Sequence, residues 1–257
     1  MCGIKDILII TTEFDQPFFK TLLGDGSRFG ISITFEIQAA PKGIAEAYLI
    51  AESFLAGSDS LMILGDNLFH GNFAPFRSAV KSLMDDKKEC SARIFAYPVS
   101  DPERYGVVEF DSKTMDVVSI EEKPSLPKSN HAIPGLYLFD GTAPERAKKL
   151  KASDRGELEI IDLIKSYLND QKLKVELINR GMAWLDTGTP QSLLEANSYI
   201  AAIEQRQGLK VACLEEVGLR MNFLSVDEFD ASVADTPNSP YKDYLLAISK
   251  EFKKSKK

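Results

Sequence analysis

The sequence predicts an α/β fold with a mixed, mostly parallel sheet and helices on both of its faces. Short apolar runs alternate with segments of helical spacing from residue 6 onward, which is typical of parallel strands joined by right-handed crossovers. The apolar run 61–64 leads directly into Gly65, Asp66 and Asn67. Such a run indicates a strand buried on both faces that ends at the carboxyl edge of the sheet, where open α/β folds bind ligands. The alternative is a strand that ends in an ordinary surface turn.

Composition narrows the class of protein. The chain has 257 residues, 44% of them apolar, which is enough for a large core. A net charge of −7 argues against a nucleic-acid partner, although a small phosphorylated ligand needs only a local positive site. Three scattered cysteines favour a reducing compartment, and two histidines are too few for a zinc site of the usual kind. Because no apolar run is long enough to cross a membrane, we expect a cytoplasmic protein without a membrane partner.

The elements of the first hundred residues follow from apolar runs and the turn residues that flank them. The first apolar run predicts a buried strand, and Gly24 ends the helix that follows it. Gly57 ends the second predicted helix. The predicted strands are 6–11, 33–38, 61–64 and 92–98, and the predicted helices are 15–23, 44–55 and 73–88.

Beyond residue 98, an antiparallel strand pair around the turn 111–113 comes first. A long helix then begins near Pro190, which suits a first helical turn, with Thr187 or Thr189 as its possible cap. The region from 208 onward is mostly helical and is broken near Pro237 and Pro240. The predicted strands are 107–110, 117–121, 132–139, 173–178 and 183–185, and the predicted helices are 143–150, 157–168 and 189–204.

Two aspartates stand at the ends of apolar strands. Asp66 follows the strand 61–64, and Asp186 follows the strand 183–185. Strand-end carboxylates brought to one edge of a sheet can hold Mg²⁺ beside the phosphates of a substrate. The alternative is that Asp186 only caps the helix that follows it.

Cationic and aromatic residues next to predicted strand or helix ends are further candidates. Lys123 lies at the end of a strand and Arg155 lies just before a helix, so each could contact a phosphate. Each is also compatible with an ordinary surface charge. Tyr105 and Gly106 enter a strand together and could supply one aromatic wall and one place of close backbone approach, or they could belong to an ordinary loop.

Seven motifs occur along the chain in a fixed order: Gln38-x-x-Pro41-x-Gly43, Leu64-Gly65-Asp66-Asn67, the segment 101–110, Glu121-Glu122-Lys123-Pro124, Pro134-Gly135-Leu136-Tyr137, Arg155-Gly156-Glu157-Leu158-Glu159 and Trp184-Leu185-Asp186-Thr187-Gly188-Thr189. Together they resemble the glucose-1-phosphate thymidylyltransferases, which are sugar-nucleotide pyrophosphorylases with a Rossmann-like nucleotidyltransferase fold. The resemblance runs from residue 4 to about 211. It implies a nucleotidyltransferase core over 1–210 and a C-terminal helical extension over 211–257, and the segment 203–210 favours the short, tetrameric, thymidine-specific branch.

The resemblance implies that an oxygen of glucose 1-phosphate attacks the α-phosphorus of dTTP, which yields dTDP-glucose and pyrophosphate for dTDP-sugar biosynthesis. Positioning of the two substrates and neutralisation of phosphate charge would accelerate the reaction, and no residue would act as a covalent nucleophile. A homo-oligomer, either a tetramer or a dimer of dimers, is implied as well. The implied sites are the thymine pocket (Gln38, Gly43), the Mg²⁺ ligands (Asp66, Asp186), the glucose pocket (Tyr105, Gly106, Glu122, Ile133), the sugar-phosphate contacts (Lys123, Arg155) and Trp184, which would pack beside the site.

The sequence departs from the family pattern at its start. The family opens with a strand and a Gly-Gly-x-Gly-Thr-Arg-Leu loop that cradles the triphosphate, and neither is found here. Residues 1–8 match a point some forty residues inside a typical member, so we expect the first strand and this loop to be missing. Glu46 and Pro134 stand where glutamine and threonine are expected, and both could weaken ligand contacts.

These departures leave three hypotheses. The chain is an enzyme recorded without its start, or an inactive remnant that binds sugar phosphate or joins an oligomer, or a structural or regulatory subunit. We expect the 257 residues alone to release little pyrophosphate, and an added upstream segment with the glycine-rich loop to restore turnover.

Overall fold

The structure is a computed structural model, and it describes residues 2–85 and 90–255. The chain forms two compact units. The terminal unit comprises Gly3–Ala39 and Glu204–Lys257, and the central unit comprises Ala40–Ile203 with Cys2. The predicted helical extension over 211–257 therefore falls wholly in the terminal unit, together with residues from the start of the chain. No helix within the described residues is long and apolar enough to span a membrane.

The terminal unit begins with a parallel pair of strands. β1 (Asp6–Thr11) and β2 (Ser32–Ile37) pair in parallel, and α1 (Gln16–Leu23) connects them. The predicted strands and helix are confirmed, but β1 is half-buried rather than fully buried. Gly26 has a φ of 83°, and a Cβ there would lie 2.7 Å from the side chain of Ile33, so this turn requires glycine.

The central unit contains a seven-stranded mixed sheet in the order β3-β9-β5-β8-β6-β7, with β10 beside β5. A separate two-stranded sheet pairs β4 with β11 in antiparallel orientation. The strands are β3 (Ser60–Ile63), β4 (Asn67–His70), β5 (Ala92–Pro98), β6 (Gly106–Phe110), β7 (Val117–Glu122), β8 (His131–Ala132), β9 (Leu136–Phe139), β10 (Leu173–Leu177) and β11 (Ala183–Asp186).

The α/β class with a mixed sheet is confirmed, but fewer strand pairs are parallel than predicted. Among the described strands, β1–β2 and β5–β10 run parallel and the other pairs run antiparallel. β3 is antiparallel to β9, and its residue Ile63 is 54% exposed, so the prediction of a parallel strand buried on both faces is wrong for this run. An apolar run specifies a strand but not its partner, and β9 lies more than seventy residues further along the chain.

The helices of the central unit follow the apolar periodicity with adjusted ends. The predicted helix 44–55 is interrupted at Ala51, and the predicted helix 73–88 is described only as far as Asp85, because 86–88 lie outside the described residues. The helices are α2 (Glu46–Ile50), α3 (Glu52–Leu55), α4 (Ala74–Asp85), α5 (Ala143–Ala147), α6 (Ile160–Asn169) and α7 (Pro190–Gln207), which carries the chain into the terminal unit.

Each unit is stabilised by a buried apolar cluster of its own. In the central unit, α4 packs on β5 and β9 through Phe76, Phe95 and Leu138. In the terminal unit, three C-terminal helices enclose Phe229 and Leu245, both fully buried. These helices are α8 (Leu214–Arg220), α9 (Val226–Asp235) and α10 (Pro240–Ser255), which confirms the predicted break between Pro237 and Pro240.

Candidate functional site

The central unit contains an open cleft of about 210 Å³ at the ends of β3, β7 and β11. Most of the residues predicted from sequence line it. These are Asp66, Tyr105, Gly106, Glu122, Lys123, Ile133, Trp184 and Asp186. The cleft combines apolar walls with several ionisable groups, a combination that is common at small-molecule sites.

The two strand-end aspartates meet at one rim of this cleft. The backbone N–H and the hydroxyl of Thr187 both donate to the carbonyl of Asp66, at 2.8 and 2.9 Å. A Cβ on Gly188 would lie 3.1 Å from Oδ1 of Asp186 and 3.6 Å from Oδ2 of Asp66. Both carboxylates therefore lie within 4 Å of one point, although their residues are far apart in the sequence.

The helix-capping alternative for Asp186 is wrong. The first residue of α7 is Pro190, so the cap position is Thr189. The Thr189 hydroxyl accepts the backbone N–H of Ser192 at 3.1 Å, which is the bond expected of an N-cap. Oδ1 of Asp186 instead accepts the backbone N–H of Gly188 at 3.0 Å and stays at the rim of the cleft.

The donor set at this rim fits a hard divalent ion. Mg²⁺ prefers oxygen ligands and is usually bound by one or two carboxylates, with water and substrate phosphate completing its shell. Within 2–85 and 90–255, no group of three or more histidine, cysteine, aspartate or glutamate side chains is placed to hold a metal ion. The two carboxylates at the rim supply only oxygen ligands, and this donor set fits magnesium.

Glu122 and Lys123 form the charged wall of the cleft. Burial raises the pKa of Glu122 above its usual range, while the neighbouring Lys123 ammonium acts in the opposite direction. The Nζ atom of Lys123 lies 3.9 Å from Oε1 of Glu122, and its backbone N–H donates to the carbonyl of Tyr105 at 3.0 Å. Lys123 has a φ of 42°, a left-handed conformation that costs energy for a residue other than glycine.

The aromatic rings of Tyr105 and Trp184 form another part of the cleft wall. The Trp184 ring is buried and meets the rings of Tyr97 and Tyr105 edge-on, at centroid distances of 5.6 and 5.1 Å. Gly106 follows Tyr105, and a Cβ there would lie 2.9 Å from Ile161 and 3.4 Å from the carboxylate of Glu122. Tyr105 and Gly106 therefore both line the cleft, and the backbone at Gly106 is closely approached by Ile161 and Glu122.

Three predicted residues do not line the cleft. The Arg155 guanidinium is bound by both oxygens of Glu159, at 2.9 and 3.0 Å. Gly43 has a φ of 97°, and a Cβ there would lie 2.3 Å from the carbonyl of Leu158, so packing inside the central unit already explains this glycine. Gln38 belongs to the terminal unit, where its backbone N–H donates to the carbonyl of Thr11 at 2.9 Å.

Sequence reasoning missed three polar residues of the cleft. Arg104 lines it and is held by Asp101 at 2.8 Å, a hydrogen bond that raises the pKa of Arg104. Tyr137 also lines it, and burial together with the nearby carboxylates raises the pKa of its phenol. Asn67 also lines it, but its sequence context indicated only an ordinary turn residue. The motifs 64–67, 101–110 and 134–137 contain all three residues, but spacing alone does not show which side chains face the cleft.

Comparison with known proteins gives a consistent result. The nucleotidyl transferase family matches residues 1–203. The glucose-1-phosphate thymidylyltransferase of Xanthomonas campestris pv. campestris is 45% identical, over 97% of this chain and 83% of that protein. The protein of the same name from Neisseria meningitidis is 45% identical, over 98% of this chain and 85% of that protein. The one from Mycobacterium tuberculosis is 43% identical, over 96% of this chain and 84% of that protein.

Comparison with solved structures agrees with this result. A Bacillus anthracis crystal structure described as a glucose-1-phosphate thymidylyltransferase in complex with sucrose matches with a TM-score of 0.70 and 37% identity, over 77% of each chain. A UDP-glucose pyrophosphorylase in complex with UDP-glucose matches with a TM-score of 0.66 and 18% identity, over 78% of this chain and 82% of that chain. At that identity the second match shows the fold alone.

Proposed function

We propose that this chain, which belongs to the glucose-1-phosphate thymidylyltransferases of the nucleotidyl transferase family, forms dTDP-glucose and pyrophosphate from dTTP and glucose 1-phosphate. The observation that supports this reaction best is the meeting of Asp66 and Asp186 within 4 Å of one point, at the rim of a cleft lined by Lys123 and Glu122. A phosphoryl-transfer site needs carboxylates that bind a metal ion, and it needs a positively charged side chain nearby that can contact a phosphate.

In the proposed reaction an oxygen of glucose 1-phosphate attacks the α-phosphorus of dTTP. A new phosphorus–oxygen bond forms, the bond to the β-phosphate oxygen breaks, and pyrophosphate leaves. Asp66 and Asp186 would hold Mg²⁺, which neutralises phosphate charge when bound. Lys123 would contact the sugar phosphate as a point charge, and no side chain needs to form a covalent bond with the substrate.

The glucose ring would occupy the part of the cleft formed by Tyr105, Gly106, Glu122 and Ile133. An ionised Glu122 can accept two hydrogen bonds from sugar hydroxyls, and the Tyr105 ring would supply an apolar face beside it. Ile133 is buried, and its backbone N–H is held by the carbonyl of Gly106 at 2.7 Å, which fixes this wall.

The remaining assignments stay predictions. Arg155 is paired with Glu159, so a contact with the sugar phosphate requires that this pair open or shift. The role of Gln38 and Gly43 in thymine recognition, the tetramer, the cytoplasmic location and the place of the reaction in dTDP-sugar biosynthesis rest on the resemblance to the family.

The test is release of pyrophosphate from dTTP, glucose 1-phosphate and Mg²⁺. Two proteins are assayed: the 257-residue chain, and the same chain extended by an N-terminal segment with the Gly-Gly-x-Gly-Thr-Arg-Leu loop. We expect turnover of at least about 1 s⁻¹ in one of them. Asp66→Asn and Asp186→Asn should each lower it at least about 100-fold, because a metal ligand is lost.

Asp111→Asn is the matched control, since Asp111 is an exposed turn residue between β6 and β7 whose carboxylate accepts backbone N–H groups. It should retain activity. If neither protein releases pyrophosphate, the proposed enzyme is wrong. Binding of glucose 1-phosphate without turnover would then favour the second hypothesis, an inactive sugar-phosphate-binding protein.

A further inference from the structure

The side chain of Asn67 joins three parts of the cleft. Its Nδ2 donates to Oδ1 of Asp66 at 2.7 Å. Its Oδ1 accepts the indole N–H of Trp184 at 2.7 Å and the backbone N–H of Gly135 at 2.9 Å. The loop before β4, the strand β11 and the segment between β8 and β9 thus meet at one amide group.

Only one orientation of the amide can make these bonds. The indole N–H of Trp184 and the backbone N–H of Gly135 can only donate, and the carboxylate of Asp66, when ionised, can only accept. A flipped amide would place two donors against its NH₂ group and an acceptor against its oxygen. The hydrogen-bond partners therefore fix the orientation, and they call for an acceptor and a donor on the same side chain, as asparagine provides.

The bond to Asp66 also determines which carboxylate oxygen faces Asp186. Oδ1 of Asp66 is held by Asn67, whereas Oδ2 lies 3.6 Å from the position of a Cβ on Gly188, a point that Oδ1 of Asp186 approaches to 3.1 Å. Without the Asn67 amide, the Asp66 carboxylate is free to rotate about its last side-chain bond. The amide thereby presents one defined oxygen to the place where a cation would bind.

The segment at Gly135 is adapted to this contact. A Cβ on Gly135 would lie 2.6 Å from the side chain of Leu64 and 2.9 Å from Nδ2 of Asn67. The backbone N–H of Leu64 donates to the carbonyl of Gly135 at 2.9 Å. Close approach at Gly135 therefore lets the Asn67 amide connect the two-stranded sheet of β4 and β11 with the seven-stranded sheet.

We propose that Asn67 is a positioning residue that sets the metal-facing oxygen of Asp66 and at the same time holds the Trp184 wall and the Gly135 backbone. This proposal rests on the proposed function, because it assigns Asp66 to the cation. Partners of this kind, which orient the ligands of a metal, affect metal affinity or activity by about 10–100-fold when they are removed.

Trp184 provides a readout that does not depend on turnover, because it is the only tryptophan of the chain. In Asn67→Ala without metal, we expect red-shifted emission and stronger quenching by acrylamide, since the indole loses its partner. In Asn67→Asp the carboxylate still accepts both N–H groups, so emission should stay close to that of the wild type. The same variant loses the donor to Asp66, and we expect its turnover to fall at least about tenfold.

Magnesium titration tests the second half of the proposal. In Asn67→Ala, the Mg²⁺ concentration for half-maximal pyrophosphate release should rise about 10–100-fold. The matched control is Tyr97→Phe, which removes the Tyr97 hydroxyl contact to the Met182 carbonyl but keeps the ring against Trp184. This control should leave the magnesium dependence unchanged, because Tyr97 has no bond to Asp66.

Two outcomes would overturn the proposal. One is a folded Asn67→Ala protein with wild-type emission and a half-maximal Mg²⁺ concentration within twofold of wild type. The other is an equal rise of that concentration in Tyr97→Phe, which would reveal a general loss of packing. If Asn67→Ala does not fold, Asn67→Asp decides the question through its turnover and emission. If the wild type shows no turnover, the proposed function fails separately, and calorimetric Mg²⁺ binding with the emission of Trp184 still tests Asn67.

Discussion

Among single residues, Glu122 makes the pH dependence of stability predictable. Burial raises the pKa of Glu122 in the folded protein, so the native state holds a proton on this carboxyl at a higher pH than the unfolded chain does. The free energy of unfolding therefore falls as pH rises through the interval between the two pKa values, and ionised Glu122 destabilises the fold at neutral pH. We expect Glu122→Gln to unfold at higher urea than wild type near pH 7, with a gain that vanishes as pH falls below the ordinary glutamate range.

Urea unfolding followed at several pH values measures this effect. The matched control is Glu103→Gln, because Glu103 is an exposed residue of the turn before β6. It should show no pH-dependent gain. A Glu122→Gln protein that is less stable than wild type near pH 7, or equally stabilised at every pH, would contradict the assignment of burial as the dominant cause.

Cleft residues at strand ends were predictable, because the sequence shows where a strand ends and which residue comes next. Asp66 and Asp186 follow apolar runs, Lys123 follows a predicted strand, and all three line the cleft. Arg155 was not predictable in the same way, since its partner Glu159 becomes visible only when the loop before α6 is folded. Asn67 was missed for a related reason, because two of its three partners lie 68 and 117 residues away in the sequence.

At the level of secondary-structure elements, the residues just before α7 divide into one that stabilises the helix and one that belongs to the cleft. The hydroxyl of Thr189 caps the helix, while the carboxylate of Asp186 faces the cleft. Thr189→Ala should therefore lower the free energy of unfolding by about 1 kcal/mol, the usual cost of losing an N-cap. Asp186→Asn should change the unfolding free energy by less than about 0.5 kcal/mol, as most substitutions outside buried or capping sites do.

Chemical unfolding and turnover measured on the same two variants check this expectation. Thr189→Ala should lose stability and keep most of its turnover, and Asp186→Asn should do the reverse. The division of roles is refuted if Asp186→Asn loses as much stability as Thr189→Ala, since Asp186 would then support the helix as well.

Secondary-structure elements were predictable where apolar runs and turn residues indicate the same bounds. They were less predictable where a contact between distant parts of the chain determines whether a strand forms. The strands 6–11 and 92–98 match their observed bounds, because each is an apolar run between turn residues. The predicted strand 132–139 is divided in two at Pro134 and Gly135. Proline has no N–H to donate to a ladder, and the N–H of Gly135 is taken by the side chain of Asn67. The strand β4 was missed, since its short sequence contains little periodicity and forms a strand by pairing with β11.

Over the whole molecule, the order and direction of strands were the least predictable feature. Alternating strands and helices predicted a parallel sheet, and this holds for β1 with β2 and for β5 with β10. Within the seven-stranded sheet, β9 lies between β3 and β5 and runs antiparallel to both. The period of a strand indicates which face is apolar, but its neighbours are selected by contacts that span the chain.

The whole molecule should depend on Mg²⁺ for activity and not for folding. Two carboxylates without further protein ligands bind the ion weakly until substrate phosphate completes its shell. At an ion concentration close to the dissociation constant, binding adds only about 0.4 kcal/mol to the free energy of unfolding. For a chain of this size such a gain moves the thermal midpoint by less than about 2 °C. A chelator should therefore abolish pyrophosphate release and leave the midpoint nearly unchanged. If the chelator lowers the midpoint by more than about 5 °C, the ion is structural, and its ligands must then include groups other than Asp66 and Asp186.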